Sequence, residues 1–129
     1  MSSVPSTEMK PLNVALLTVS DTRGPEQDTS GQFLEDSLVE AGHNLIARRI
    51  LPDDVYLVRA LISNWIADSE VHVVIITGGT GLLERDSTPE AIRPLLDKTV
   101  ESFGEEFRRL SAAEIGSSTV QSRAMAGMA

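Results

Sequence analysis

Two aspartates and a glycine-rich segment are the residues whose types and spacing are best suited to chemistry. The aspartates are Asp53 and Asp86, and three glycines, Gly78, Gly79 and Gly81, come shortly before the second of them. Magnesium is typically bound by one or two protein carboxylates together with substrate phosphates, and glycines let a ligand lie directly against main-chain N–H groups. This combination favours a site for an anionic, phosphorylated ligand.

Structural roles could also explain the same residues. Asp53 or Asp54 could cap the helix that follows them, and Asp86 could pair with Arg85 or cap a turn. The glycines could form no more than a tight strand-to-helix turn. The segment lacks the Lys-Ser/Thr end of a Walker A loop and the glycine spacing of a dinucleotide-binding motif. The residues alone therefore do not identify the ligand.

Apolar runs that alternate with amphipathic stretches indicate the fold class. Residues 12–19 and 71–76 are largely apolar and β-branched, which predicts strands buried on both faces, whereas residues 43–51 are less apolar and predict an edge strand. Helical patterns separate the three strands, and crossovers of this length require a parallel sheet with helices on both faces. We therefore predict an α/β fold.

The polar loops that follow these strands are expected to meet at one rim of the sheet. In parallel sheets, ligands bind outside the carboxyl ends of the strands, where the strand order reverses. If the first and third strands are neighbours, Ser20 and Asp21 share a crevice with residues 78–86, and Asp53 belongs to the same rim. Three polar loops at one rim predict a binding site.

Local signals predict where the helices begin and which faces they bury. Thr29 and Gln32 have capping-box spacing for the first helix, and Phe33 is among the apolar residues expected on its buried face. Gly42 is expected to end this helix. Thr88 is predicted to be the N-cap of the helix that follows the glycine loop.

Composition and charge exclude several classes of protein. Acidic residues outnumber basic ones by 19 to 11 in 129 residues, and the net charge of -8 argues against nucleic-acid binding. The absence of cysteine removes disulfides and cysteine nucleophiles, and His43 and His72 have no metal-ligand spacing. We expect residues 1–11 to be a mobile tail and residues 12–129 to form the domain. Because no apolar stretch reaches membrane-spanning length, we expect a cytoplasmic protein that does not bind membranes.

Several segments resemble the MoaB/MogA/gephyrin G-domain family of molybdopterin-binding proteins. The resemblance covers nearly everything from Leu12 onward, and its glycine–Arg–Asp segment is the most specific part. The motifs are Ser-Asp-Thr-Arg at residues 20–23, Asp-Thr-Ser-Gly at 28–31, Thr-Gly-Gly-Thr-Gly-x-x-x-Arg-Asp-x-Thr-Pro-Glu-Ala at 77–91, Phe-Gly-Glu-x-Phe-Arg at 103–108 and Ser-Arg-Ala at 122–124.

The resemblance implies a three-layer α/β/α domain with a mostly parallel central sheet, which assembles as a trimer or a dimer of trimers and binds molybdopterin. In MogA-like members, Mg-ATP adenylates the terminal phosphate of the pterin, so Mg²⁺ and ATP are implied, as are partners from the same pathway. The family's two functional aspartates fall on Asp53 and Asp86, which are also the implied magnesium ligands. The other implied site residues are Gly78, Gly79, Thr80 and Gly81 around a phosphate, Ser20 and Asp21 at the pterin or nucleotide end, and Glu105 and Ser122.

Different classes of function stay open at this point. The chain could be a molybdopterin adenylyltransferase-like enzyme, or a non-catalytic protein that holds molybdopterin or a pathway partner. A third interpretation, a generic nucleotide-binding module, predicts ATP binding without pterin binding. Family members continue past residues 126–129 into a further strand, a Pro-Gly-Ser-type loop and a closing helix, so the resemblance predicts these elements beyond residue 129.

Overall fold

Three parallel strands form the sheet that positions the polar loops. The computed structural model describes residues 10–21, 27–78, 86–115 and 125–129. The strands are β1 (Asn13–Val19), β2 (Asn44–Leu51) and β3 (Val73–Thr77), and they lie in the order β2-β1-β3. Both pairings are parallel, with β1 in the centre and β2 at an edge, as predicted.

Four α-helices accompany the strands in the described part of the chain. They are α1 (Thr29–Glu40), α2 (Val55–Ala67), α3 (Thr88–Ile92) and α4 (Phe103–Ile115). A 3₁₀ turn follows α3, and the α-helix does not continue through Pro94 because proline lacks the N–H that the helix needs. Two short strands, β4 (Lys98–Thr99) and β5 (Gly127–Met128), pair antiparallel in a separate small sheet.

The central strand separates two packed layers. Ala15, Leu17 and Val19 of β1 belong to one core, with Val58, Ile62 and Trp65 of α2 and Ala91 of α3. Side chains alternate along a strand, so Val14, Leu16 and Thr18 point to the opposite face, which α1 covers. Helices therefore cover both faces of the sheet, as the predicted fold class requires.

A buried carboxylate joins α1 to the sheet. Asp28, only 2% exposed, is the N-cap of α1 and accepts a hydrogen bond from the amide of Gly31 at 2.9 Å. Its other oxygen accepts from the hydroxyl of Thr18 at 2.8 Å and pairs with Arg48 at 3.0 Å. Arg48 also pairs with Glu35 of α1 at 2.9 Å. The predicted capping box at Thr29 is therefore wrong by one residue, because Asp28 finds partners on β1 and β2.

The environment of Asp28 keeps its carboxyl group ionised. Burial raises the pKa of Asp28, but the amide of Gly31, the hydroxyl of Thr18 and the guanidinium of Arg48 outweigh burial and leave the pKa below its usual 3.8. A carboxylate with a depressed pKa stabilises the fold above the unfolded pKa, and this stability is lost as the pH falls through the folded value. We therefore attribute part of the stability above about pH 4 to this group.

The end of α1 follows the prediction, whereas one side chain of its apolar face does not. Gly42 has φ +91° and donates to the carbonyl of Val39, while His43 donates to that of Leu38, which is a Schellman ending. Leu38 is buried, but Phe33 is 69% exposed and the prediction that it packs in the core is wrong. Leu38 and Asp28 lie on the buried side of α1, and Phe33 lies outside that side.

The strand before the glycine loop is less buried than its sequence suggests. All five residues of β3 are half-buried, although the apolar run predicted burial on both faces. Within the described residues, β3 pairs only with β1, so its other side has no neighbouring strand there. No helix in the described ranges is long and apolar enough to cross a membrane.

Candidate functional site

Hydrogen bonds tie together the three loops at the carboxyl edge of the sheet. The amide of Ser20 donates to the carbonyl of Leu51 at 2.8 Å, and the amide of Asp53 donates to the carboxylate of Asp21 at 2.9 Å. The carboxylate of Asp53 in turn accepts hydrogen bonds from the amide of Ser87, at 3.2 Å, and from its hydroxyl. The loops after β1 and β2 and the start of α3 therefore form one connected rim.

Asp53 is not the residue that caps α2. Asp54 has that role, since its carboxylate accepts from the amides of Tyr56 and Leu57 at 2.8 and 3.0 Å. The carboxylate of Asp53 reaches instead across 34 residues of sequence to Ser87. This arrangement removes the capping alternative for Asp53 and places its side chain at the rim, beside the residue that follows Asp86.

Gly78 is needed at the end of β3 for steric reasons. Its φ is +98°, and a Cβ there would lie 2.2 Å from the carbonyl oxygen of Val19. The carbonyl of Gly78 accepts a hydrogen bond from the hydroxyl of Thr88 at 3.0 Å. Thr88 is the first residue of α3, and the prediction that it is the N-cap is wrong. The N-cap is Ser87, whose hydroxyl bonds Asp53 and makes no capping bond.

Contacts near both of its ends hold α3, the short helix that follows Asp86. Arg59 of α2 donates to the carbonyls of Ala91 and Glu90, both at 3.0 Å. Asp86 itself is half-buried and lies immediately before Ser87. Arg59 of α2 thus holds the carboxyl-terminal part of α3, while Asp53 holds Ser87, the residue between Asp86 and the helix.

Two clefts open at this edge of the sheet. One, of about 760 Å³, is bordered by Ser20, Asp21, Gln32, and residues 48–52, including the exposed Arg49. The other, of about 370 Å³, is bordered by Thr29, Ser30, Phe33, Leu34 and Thr77. Ser20 and Asp21, which were predicted to line the ligand site, border the larger cleft.

The structure brings together some of the predicted site residues and does not describe others. Asp21 and Asp53 meet at the rim, and Asp86 is next to Ser87, which Asp53 binds. Glu105 is exposed in the first turn of α4. The predicted residues Gly79, Thr80, Gly81 and Ser122 lie outside the described residues. The functional roles of all these residues stay predictions.

Ser87 is a rim residue that the sequence reasoning missed. Its hydroxyl and amide both donate to Asp53, a partner 34 positions away. The only local signal is the Ser-Thr-Pro-Glu start of a helix, which is typical of a capping residue. A pattern of this kind cannot reveal a contact between two loops.

The rim is acidic, yet it does not form an all-protein metal cage in the part of the chain that the structure describes. No group of three or more His, Cys, Asp or Glu side chains there could hold a metal ion. Magnesium that arrives with a polyphosphate needs only one or two protein carboxylates, because the phosphates supply other ligands. Asp53 and Asp86 suit that second mode of binding.

Replacing Ser87 by alanine tests the link between the two loops. The variant keeps the amide donor and loses the hydroxyl, so we expect Ser87→Ala to lower the free energy of unfolding by about 1 kcal/mol. Urea unfolding measures this change, with Ser63→Ala on the exposed side of α2 as the matched control. Equal midpoints for Ser87→Ala and the wild type would contradict the assigned contact.

Together, these features define a parallel α/β domain with a candidate ligand site at the carboxyl edge of its sheet. Residues 15–128 match the family model described as "Probable molybdopterin binding domain". This chain belongs to that molybdopterin-binding, molybdenum cofactor biosynthesis family, and the resemblance seen in its motifs is confirmed.

Relatives and solved structures agree with this assignment. Molybdenum cofactor biosynthesis protein B of Escherichia coli strain K12 is 57% identical over 129 residues, covering 100% of this chain and 75% of that protein. A crystal structure of a molybdenum cofactor biosynthesis protein B superposes with a TM-score of 0.87 at 42% identity, covering 92% of this chain and 74% of the other. The tungsten cofactor synthesizing protein MoaB from Pyrococcus furiosus gives 0.81 at 39% identity, covering 93% and 74%.

Proposed function

We propose that this protein binds molybdopterin and adenylates its terminal phosphate with Mg-ATP. In that reaction, an oxygen of the pterin phosphate attacks the α-phosphorus of ATP, the bond to the β-phosphate oxygen breaks, and pyrophosphate leaves. The product carries a phosphoanhydride between the pterin phosphate and AMP. The family assignment supports the pterin as ligand, and the polar rim supports a phosphorylated substrate.

The observation that carries the proposal is the hydrogen-bonded connection from Asp21 through Asp53 to Ser87. It joins the loops after β1 and β2 to the start of α3 at the carboxyl edge of the sheet, and the strand order reverses between β1 and β3 at this edge. This is the position at which open α/β sheets bind ligands. Transfer of a charged phosphoryl group depends mainly on positioning and electrostatic stabilisation, and a rim braced by hydrogen bonds provides positioning.

The two aspartates, the glycine loop and the loop after β1 each have a role in this proposal. Asp53 and Asp86 orient the magnesium-bound phosphates of ATP, and backbone amides of residues 78–81 stabilise charge on the transferring group. Ser20 and Asp21 line the pterin or nucleotide end. The chain has a net charge of -8 and few basic side chains. Backbone N–H donors and a divalent cation therefore supply the positive potential that a phosphate needs.

The second candidate is a binding or scaffold protein that holds molybdopterin without turnover. One contact favours it: the carboxylate of Asp53 already accepts two hydrogen bonds from Ser87, which is a structural use of that group. Similar folds and sites also occur without catalysis. This candidate predicts tight pterin binding and no ATP-dependent product.

One incubation separates the two candidates. The protein is mixed with molybdopterin, Mg²⁺ and ATP, and adenylated pterin and pyrophosphate are measured. Formation of both products supports the transferase. Pterin binding without product supports the binding protein. ATP binding without pterin binding contradicts both candidates and supports a generic nucleotide-binding module.

We also propose that copies of the chain assemble as a trimer or a dimer of trimers. On α4, Phe103, Phe107 and Leu110 are 40 to 57% exposed, and the two phenyl rings stack with centroids 6.3 Å apart. We expect Phe107→Glu to shift the assembly toward monomers, because it puts a charge into this apolar surface. Sedimentation equilibrium measures the change, with Tyr56→Glu on α2 as the control; a monomeric wild type would contradict the proposal.

A further inference from the structure

The smaller of the two clefts combines an exposed aromatic ring with neutral polar groups. Among the described residues, its lining consists of Thr29, Ser30, Phe33 and Leu34 of α1, and Thr77 at the end of β3. Its volume of about 370 Å³ is within the range of small-molecule pockets, which are mostly apolar with a few polar groups that fix orientation. The cleft is therefore suited in size and lining to part of a small ligand.

The position of the cleft in the fold points to the same use. Thr77 lies opposite Thr18 in the register of β3 with β1, close to the carboxyl end of each strand. The strand order reverses between these two strands, and ligands of such sheets bind outside their carboxyl ends at that point. This topological argument does not depend on Phe33.

Phe33 is exposed although α1 has a buried face available. Its side chain is 69% exposed, whereas Leu38, further along the same helix, is buried. A single exposed apolar residue is ordinary on a convex surface. Here the phenyl group borders a shallow, open cleft, where it offers a flat apolar surface.

The lining residues select the kind of group that fits. None of these five residues carries a charge, so within the part of the chain that the structure describes the cleft offers no side-chain counter-ion to a phosphate. The phenyl group of Phe33 can stack against a planar ring, and the hydroxyls of Thr29, Ser30 and Thr77 can donate to or accept from the polar edge of that ring. The residues are those expected around a neutral heteroaromatic group.

We propose that this cleft binds the planar heteroaromatic ring of a substrate, with Phe33 stacked on one face of the ring. The inference rests on the proposed function and adds a subsite to it. Two rings have this chemistry, the pterin of molybdopterin and the adenine of ATP. Phe33 thereby contributes to affinity through the ring and not through the phosphates.

Equilibrium binding of molybdopterin and, separately, of Mg-ATP to Phe33→Ala tests the subsite. Stacking of a base on an aromatic side chain predicts that the dissociation constant of one ligand rises by about tenfold. The affected ligand identifies the ring, and Phe33→Trp is expected to retain affinity. Val39→Ala is the matched control, since Val39 is 56% exposed on the same helix outside the cleft.

The outcomes separate failure of the subsite from failure of the proposed function. If the wild type binds neither ligand, the proposed function is contradicted and the subsite with it. If the wild type binds and Phe33→Ala stays within twofold for both ligands, only the subsite is contradicted. Because Phe33 is exposed, thermal unfolding should give the same midpoint for the wild type and Phe33→Ala.

A fluorescence measurement tests proximity directly. The native Trp65 is buried in the core, so a tryptophan introduced by Phe33→Trp or by Val39→Trp adds an exposed reporter. Quenching by molybdopterin or Mg-ATP is expected in Phe33→Trp and not in Val39→Trp. Equal quenching of the two variants would overturn the assignment of the cleft.

Discussion

Asp86→Asn is expected to abolish adenylation of molybdopterin, with a fall in rate of at least about 100-fold, while the fold stays intact. The substitution keeps the size and hydrogen-bonding reach of the side chain and removes its negative charge. If Asp86 orients magnesium-bound phosphates, losing the charge affects the step in which charge develops on the transferring group. Initial rates of pyrophosphate release at saturating ATP measure the effect.

Asp97→Asn is the matched control for this loss of charge. Asp97 is an exposed aspartate near β4, and its replacement changes the net charge of the chain by the same amount. We expect the control to retain the wild-type rate and both variants to retain the wild-type circular dichroism. Normal activity in Asp86→Asn would refute the role assigned to Asp86, whatever the behaviour of the control.

Gly31→Ala is expected to lower the free energy of unfolding by about 3 kcal/mol. A Cβ at this position would lie 2.0 Å from a carboxylate oxygen of Asp28, and real contacts of that kind do not exist. The carboxylate must then move, which breaks the cap of α1 and the buried ion pair with Arg48. Chemical denaturation measures the change, with Ser37→Ala on the exposed side of α1 as the control.

A double-mutant cycle distinguishes this steric mechanism from a general effect of alanine. In the Asp28→Ala background the carboxylate is gone, so Gly31→Ala should cost little or should stabilise the helix, because alanine is the better helix former. Equal costs in both backgrounds would contradict the mechanism. Asp28→Asn adds a second readout, since its stability should fall less than that of the wild type when the pH drops below about 4.

The strands and their parallel arrangement could be predicted because they are encoded locally. Apolar, β-branched runs separated by helical stretches permit few other architectures, and β1 and β2 occupy the central and edge positions expected of them. The start of the first helix is harder to predict, because Thr29 and Asp28 are both good N-caps. Partners on β1 and β2, which are distant in sequence, decide between them.

The face of a helix is harder to predict than its existence. The spacing of apolar residues indicates a face of α1 that includes Phe33. It does not determine how the helix is rotated about its own axis relative to the sheet. The contacts of Asp28 with Thr18 and Arg48 fix the rotation of the helix, and Phe33 then points away from the core. Such rotation depends on contacts between elements and not on periodicity.

For the site, the sequence identified loops more readily than contacts. Asp53, Asp21 and Asp86 were expected at one rim because all three follow strands of the same sheet. The bond between Asp53 and Ser87 joins residues 34 positions apart, and no local pattern specifies it. Ser87 looked like an ordinary helix start, and its hydroxyl serves the neighbouring loop instead.

The series of hydrogen bonds from Asp21 to Asp53 and from Asp53 to Ser87 has a consequence for how two substrates bind. A ligand that orders the loop after β1 also restrains the amide and carboxylate of Asp53, and through them the start of α3. When the second ligand binds, part of the conformational entropy of its loop has already been lost, so the free-energy cost of ordering that loop is smaller. Thermodynamic linkage makes such an effect reciprocal, so molybdopterin and ATP, if both bind at this rim, enhance each other's affinity by the same factor.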